Sequence, residues 1–418
     1  MQLTFEAVAE AQPGPKWQAL FNQNWPDYRT WFLARGGADG PTVAQSLKQL
    51  RRFMPEIVPT YERIVELAGG GDLAARLLSF YRPPAYLLGC SQAVRSRPDG
   101  AMLIRNYDLD PGLNEGIIFH TQWNGRKVLA TNEFLWGVAD GINDTGLALS
   151  LAFGGRKVVG EGFGIPLILR YILEFCETTA DAIKVLRRVP SHMAYNVTLL
   201  DRAGHYATVL VAPDRPAQVT RKPVATNHQK TIEWPEQARF SKTLERERFL
   251  NERLANTELT EQELIQSFLH APLYSRNYKH GFGTLYTAVY RPEQGTAEFH
   301  WPDGIWLQSL DHFREGKRLI RYSQTGETVT QPADGCRGRD WTGWEPADLS
   351  LAGIFRQTVN TLLDSLTAAG IPLAAKPVDE FLEELDRTGQ VPWHKLGTIW
   401  AGSDGSWSRE SPPQSPPC

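Results

Sequence analysis

Apolar residues change period along the chain, and each change marks a new kind of element. Between 43 and 65, Val43, Leu47, Leu50, Phe53, Met54, Ile57, Val58, Tyr61, Ile64 and Val65 recur every three or four residues, the spacing of one helix face. Pro55 and Pro59 lack backbone donors and crowd the preceding turn, so this helix should kink or split there. The residues before it, with Pro and Trp in neither period, read as an irregular stretch. From Tyr86 the texture shifts to short β-like runs at 101–107, 116–123, 127–130 and 135–138. Asp140-Gly141-Ile142-Asn143-Asp144-Thr145-Gly146-Leu147-Ala148-Leu149-Ser150 then sets turn formers between two apolar stretches. That predicts a hairpin with a left-handed residue at Gly146 and a structural role for Asn143.

Two helices follow, one at about 166–176 and one opened by the capping pattern Thr178-Thr179-Ala180-Asp181 and stopped by Pro190. Alternating runs at 195–201 and 206–211, joined by Arg202-Ala203-Gly204, predict a second hairpin. Helices at 238–254 and 261–269 precede a last strand pair at 284–290 and 296–301. Beyond 303 the chain reads as an appendage: a polar loop near 331–344, a helix through Ile354, Phe355, Val359 and Leu362, and another around Phe381. A Ser- and Pro-rich tail, 403–418, is expected to be disordered. Hairpin blocks interrupted by helix pairs predict a layered α+β fold of stacked antiparallel sheets covered by helices, not a parallel doubly wound sheet.

Composition narrows the function. Over 418 residues, 42% hydrophobic and 22% charged positions are those of a soluble globular protein. A net charge of -3 supplies no basic surface for phosphates, so nucleic acid is not an expected partner. Glu6, Glu10, Gln12 and Pro13 interrupt the start where a secretion signal needs an apolar stretch, and no membrane span is visible, so a cytoplasmic location is expected. No G-x-x-x-x-G-K-[ST] occurs, and Gly160-Glu161-Gly162-Phe163-Gly164 lacks the helix-opening glycine of a dinucleotide site. No cofactor is expected. The cysteines, Cys90, Cys176, Cys336 and Cys418, lack C-x-x-C spacing, which argues against both a disulfide framework and a zinc site. Cys176 ends an apolar helical face and reads as a buried structural thiol, Cys336 sits in a polar loop, and Cys418 ends the tail. Cys90 differs: Tyr86-Leu87-Leu88-Gly89-Cys90 is an apolar run closing on a glycine and a thiol, and the segments most like an active site all follow it.

Those segments come in a definite order: Cys90, Arg105-Asn106-Tyr107-Asp108, the 140–150 hairpin, the helix pair, the 196–211 hairpin and Ala225-Thr226-Asn227-His228. From about 89 to 301 this order resembles the N-terminal-nucleophile hydrolases, specifically the acyl-coenzyme A:6-aminopenicillanic acid acyltransferase (peptidase C45-like) branch, related to the penicillin V acylases and bile salt hydrolases. The resemblance implies a four-layer αββα sandwich and an enzyme of amide bonds, an amidohydrolase or acyltransferase working through a Cys90 thioester freed by self-cleavage at Gly89-Cys90. It implies that Arg105 sits beside the sulfur, that Asp108 holds the α-amino group or the substrate amide, and that Asn227 orients the amine and stabilises the oxyanion. A late basic residue of the relatives corresponds to Arg239 or Arg246. The chemistry is coherent, because an α-amine with a pKa near ~7.7–8 is partly neutral at pH 7 and can take the thiol proton within the same residue. The expected organisation is a helical pro-segment or small chain at 1–89, the core at 90–302, a helical extension at 303–402 and the tail.

Two points stand against a simple transfer of the family pattern. Residues three apart on a strand face opposite ways, so Arg105 and Asp108 share a site only if the strand ends or bends near Asp108, as Pro111 and Gly112 suggest. Bile salt hydrolase relatives also place an oxyanion asparagine on the second strand of the first hairpin, where this chain reads Leu151-Ala152-Phe153-Gly154-Gly155. The hole must then use backbone N–H groups or Asn227. The alternative, motivated by that departure, is an unprocessed, non-catalytic binding protein of the same fold; the plain structural reading of Arg105 and Asp108 is a surface ion pair at a strand end. A papain-type hydrolase with His228 or His280 as base lacks the surroundings of that family's cysteine. The substrate is a small-molecule amide or acyl compound. An acyl-coenzyme A donor is implied by the family name alone, and the choice between monomer and homo-oligomer stays open.

Overall fold

The computed structural model describes residues 1–86, 89–278 and 282–322. In chain order, β1 (Gln2–Glu10) leads into helices α1 (Pro15–Ala34), α2 (Val43–Phe53), α3 (Val58–Leu67) and α4 (Asp72–Leu78). Strands β2 (Gly89–Arg97), β3 (Gly100–Leu109), β4 (Ile117–Thr121), β5 (Val128–Glu133), β6 (Gly137–Asn143) and β7 (Ala148–Phe153) follow, then α5 (Ile165–Phe175) and α6 (Thr179–Arg188). Next come β8 (Tyr195–Leu200), β9 (Tyr206–Ala212), β10 (Arg215–Thr220) and β11 (Val224–Ala225), and helices α7 (Pro235–Phe240), α8 (Thr243–Ala255) and α9 (Glu261–Phe268). The short β12 (Arg276–Asn277), β13 (Phe282–Arg291), β14 (Thr296–Trp301), β15 (Gly304–Ser309) and β16 (Gly316–Arg321) complete the described chain.

The strands form two sheets, a nine-stranded one in the order β10-β9-β8-β7-β6-β5-β4-β1-β16 and a smaller one in the order β11-β2-β3-β13-β14-β15, with β12 on β13. Pairing is antiparallel except between β1 and β4. Side chains bridge the sheets face to face: Arg105 of β3 pairs with Asp140 of β6, and Gln92 of β2 bonds Ser150 of β7 and the Asn196 carbonyl of β8. Helix α5 covers the outer face of the large sheet, where Arg170 Nε donates to the Trp136 carbonyl at 2.9 Å. Helices α8 and α9 cover the smaller sheet through Leu250, Leu264, Ile265 and Phe268, packed with Ala93, Met102, Ile104 and Val289. The result is the expected αββα layering. With both faces of each sheet covered, β7 and β8 are buried at every position, which explains their unbroken apolar texture.

Local chemistry agrees with the sequence at several junctions. The helix from 43 splits at Pro55, where a short 3-10 turn separates α2 from α3, and Pro59 is tolerated in the first turn of α3. Gly146 has φ +82, and a β-carbon there would stand 2.7 Å from the Pro292 carbonyl oxygen. Asn143 is structural: its amide donates to the Leu173 and Cys176 carbonyls, and its oxygen accepts from Leu147 N–H. Thr178 caps α6 by accepting from Asp181 N–H. Cys176 is buried, as expected of a packing thiol.

Other expectations fail. The opening is not irregular, because β1 lies between β4 and β16 with Phe5 against Trp301, and α1 follows with Pro26 inside it. The helix expected at 238–254 is two, broken at Lys242 with φ +51. The strands do not stop near 302: β15 and β16 continue the two sheets to Arg321, their alternation hidden because both are edge strands with many exposed positions. The extension and tail expected past 322, with Cys336 and Cys418, lie outside the described residues, as does His280.

Candidate active site

Cys90 is fully buried at the start of β2, between β3 and β11. Two groups hold it. Arg105 Nη2 donates to Cys90 Sγ at 3.0 Å, and the Cys90 N–H donates to Asn227 Oδ1 at 3.1 Å. Both contacts follow from strand register. Arg105 pairs with Gln92, so it shares the face of Tyr107, the cross-strand partner of Cys90. Ala225 pairs with Gln92 on the other side, and two further residues along the chain bring Asn227 level with Cys90. Asn196 fixes that segment: its Nδ2 donates at 2.8 Å to the carbonyls of both Thr226 and His228. Gly155, at φ +68, lets the backbone of Asn227 come close, since a β-carbon there would lie 2.4 Å from the Asn227 carbonyl oxygen.

Arg105 is itself braced. Its second amino group pairs with the buried Asp140, whose carboxylate also accepts from Tyr290, from Tyr286 at 2.9 Å and from Thr131 at 3.0 Å. The guanidinium lies over the Tyr107 ring, 4.5 Å from its centre. A desolvated ion pair is retained only where further hydrogen bonds complete it, and these donors do so. Burial nonetheless pushes the Cys90 thiol up to about 11, with Arg105 opposing the shift and Asp108 adding to it.

Asp108 lies on the other side of the strand. It accepts from Arg246 Nη1 at 2.6 Å and from Thr284 Oγ1 at 2.6 Å, whereas its neighbour Asn106 donates to the Phe268 carbonyl of α9. The strand does end near Asp108, at Leu109 with Pro111 opening a short 3-10 turn, but this end does not bring Asp108 round to the Arg105 face: β3 stays in register with β2 as far as Gly89, and the register shift lies across from it in β13, between Thr284 and Tyr286. Asp108 and Arg105 therefore flank the Gly89-Cys90 pair from opposite faces, with Asp108 the cross-strand partner of Gly89. Of the two late arginines, Arg246 is buried on Asp108 and Arg239 is exposed. Gly89 is required by space, because a β-carbon there would lie 2.0 Å from Phe282 Cε2.

The sequence reading missed several members of this cluster. Glu133, Asp140, Gln92, Asn196 and Tyr107 all converge near the thiol, and their only common signal is a polar side chain in an otherwise apolar strand. Glu133 accepts from Tyr86 at 2.5 Å and from Tyr107 at 3.1 Å, and burial raises its carboxyl to about 7 against the donors and Arg105. Phe153, in the stretch where the resemblance implied an asparagine, is buried against Tyr195 and Trp234, and its carbonyl accepts from Asn227 Nδ2 at 3.4 Å. His228 is engaged by Thr243 and Glu247 of α8. Among the described residues no cluster of His, Cys, Asp and Glu could hold a metal, and no helix is long and apolar enough to cross a membrane.

A family model described as acyl-coenzyme A:6-aminopenicillanic acid acyl-transferase matches residues 95–306, about half of the chain; Arg105, Asp108, Asn227 and Arg246 fall inside the match and Cys90 just before it. No curated protein matches the chain. Solved structures similar to it include the penicillin V acylase of Agrobacterium tumefaciens, at 13% identity over 53% of this chain and 86% of that one, with a TM-score of 0.37. A conjugated bile acid hydrolase from Clostridium perfringens shares 11% identity over 57% of this chain and 99% of its own, with a TM-score of 0.37. An N-acylethanolamine-hydrolyzing acid amidase ortholog from Caenorhabditis elegans shares 16% over 56% and 100%, with a TM-score of 0.38.

Proposed function

The chain belongs to the acyl-coenzyme A:6-aminopenicillanic acid acyl-transferase family, of N-terminal-nucleophile type, and from that premise we propose that it is a self-processing amidase whose nucleophile is Cys90. In the first step the Cys90 thiol adds to the Gly89 carbonyl. The S–C bond forms as the C–N bond breaks, and the thiol proton passes to the Cys90 nitrogen. Water then hydrolyses the thioester, leaving a carboxylate on Gly89 and an α-amine on Cys90. In turnover the neutral amine takes the thiol proton, sulfur attacks the substrate amide, the leaving amine receives the proton, and water frees the acid. Arg105 stabilises developing thiolate, Asn227 holds the nitrogen before and after the cut, and Asp108, fixed by Arg246, stands at the Gly89 level of the ladder.

The observation that carries this reading is the pair of contacts on one residue: a guanidinium on the sulfur and an amide oxygen on the nitrogen, the two atoms that exchange the acyl group. Transfer to water asks least of the site; transfer to an amine, with an acyl-coenzyme A donor, differs only in the acceptor. The test is intact-mass spectrometry of purified protein. Wild type gives a fragment of residues 1–89 and one beginning at Cys90, and Cys90→Ala stays a single chain of 46.9 kDa. Wild type that stays whole at every pH sinks the proposal. It would favour the second reading, an uncut binding protein, to which the thiol pushed up to about 11 lends support.

A further inference from the structure

The Glu133 carboxyl takes no part in the chemistry above, yet it stands beside it. Tyr86 Oη donates to Glu133 Oε1 at 2.5 Å, and Tyr107 Oη donates to Oε2 at 3.1 Å. Tyr107 is the cross-strand partner of Cys90 and carries Arg105 over its ring, so these contacts lead from the thiol face of the sheet to a side chain on the far side of the cut. The Tyr86 ring packs edge-on against Phe134 at 4.7 Å and is almost wholly buried. The phenol thus fills an aromatic space with one carboxyl at its end. That carboxyl is poorly solvated, which is why its proton is held up to about 7.

The covalent chemistry gives this space a meaning. The thioester between Cys90 and residues 1–89 is an acyl-enzyme in kind, with a free α-amine and an acyl group on sulfur. Later acyl-enzymes have the same atoms at the sulfur, so the chain preceding Gly89 marks the acyl side of the site. Tyr86 is the first aromatic residue met on that side. Once cut, the segment ends at Gly89 and is no longer tied to Cys90, so the phenol can withdraw.

We propose that the space filled by Tyr86 in the uncut chain is the acyl pocket of the processed enzyme, and that it selects arylalkanoyl groups carrying a hydrogen-bond donor at the far edge of the ring, read by Glu133. This rests on the self-cleavage reading. A donor on the ring replaces the phenol that Glu133 loses, whereas a plain aryl group leaves the buried carboxyl one partner short.

The test uses processed full-length protein and the p-nitroanilides of phenylacetic, 4-hydroxyphenylacetic, 3-phenylpropanoic and 3-(4-hydroxyphenyl)propanoic acids. At one chain length or both, the ring hydroxyl raises kcat/KM about tenfold or more, the scale of a hydrogen bond to a charged acceptor. In Glu133→Met the ratio of hydroxylated to plain substrate falls to about one, a loss of about tenfold. The wild-type ratio decides even if that variant does not fold. Cleaved protein that forms an acyl-Cys90 species by mass, yet treats hydroxylated and plain substrates alike at both lengths, overturns the pocket and leaves the amidase standing. Cleaved protein in which none of the four acylates Cys90 overturns the pocket as well, whereas protein that stays whole overturns the amidase on which it rests.

Discussion

Replacing Gly89 by alanine puts a methyl carbon where the structure has the Phe282 ring, 2.0 Å from Cε2 and 2.3 Å from Cζ. Carbon atoms rest about 3.5–4.0 Å apart, so the ring must move by more than an ångström. It is not free to do so. Phe240 packs edge-on against it at 4.9 Å, and the Arg246 guanidinium lies 5.3 Å from its centre while also holding Asp108, the cross-strand partner of Gly89. Overpacking of this kind costs about 1–3 kcal/mol, and loss of the aromatic pair adds about 0.5–1.5 kcal/mol. Stability is best read in a Cys90→Ala background, where every variant is a single chain, by urea unfolding. There Gly89→Ala should lower stability by about 2–4 kcal/mol. Phe282→Ala removes the obstacle, so the double variant should cost less than the sum of the singles by about 1–3 kcal/mol. With Cys90 intact, Gly89→Ala should slow the appearance of the two fragments by mass, and Phe282→Ala should restore part of the rate. Costs that add to within about 0.5 kcal/mol, or an unchanged urea midpoint, refute the argument from space.

The thiol at about 11 predicts that the rate of self-cleavage rises with pH, because the thiolate fraction grows about tenfold per unit below that value; a flat profile between about pH 6 and 9 would show that thiolate formation does not limit the step. Arg246→Ala leaves the buried Asp108 carboxylate without its cation and should destabilise the Cys90→Ala protein by about 3–5 kcal/mol, whereas the exposed Arg239→Ala should stay within about 0.5 kcal/mol; equal effects would reject Arg246 as the partner. Glu133, raised from 4.5 to about 7, binds more protons folded than unfolded across that window, so it lowers stability as pH climbs through it. Glu133→Gln should therefore reduce the loss of stability between about pH 4.5 and 7, and an unchanged urea midpoint profile would contradict the burial argument.

The central residues were legible because their order along the chain is a pattern in itself. Period-two reasoning also placed Arg105 and Asp108 on opposite faces, and that inference was sound. Asp108 stands beside Gly89 and Arg105 beside the sulfur, on the two faces of a strand that ends at Leu109. Glu133 and Asp140 were not legible, since a carboxylate inside an apolar strand gains meaning only from donors far away in sequence, Tyr86 for one and Tyr286 and Tyr290 for the other. Strand β1 was missed for the same reason: its short alternation is stabilised by β4 and β16, which no local window contains.

That placement of β1 has a consequence for what a cut at Gly89-Cys90 produces. Residues 2–7 pair with β16 and 6–10 with β4, both of which belong to the other side of the bond. The large sheet is therefore stitched across two polypeptides once the bond is broken, and neither owns a complete core. The products of such a cut should behave as a nicked whole, a non-covalent heterodimer held by a shared ladder. They should co-elute in native buffer, part only in denaturant, and regain the sheet only when both are present during refolding.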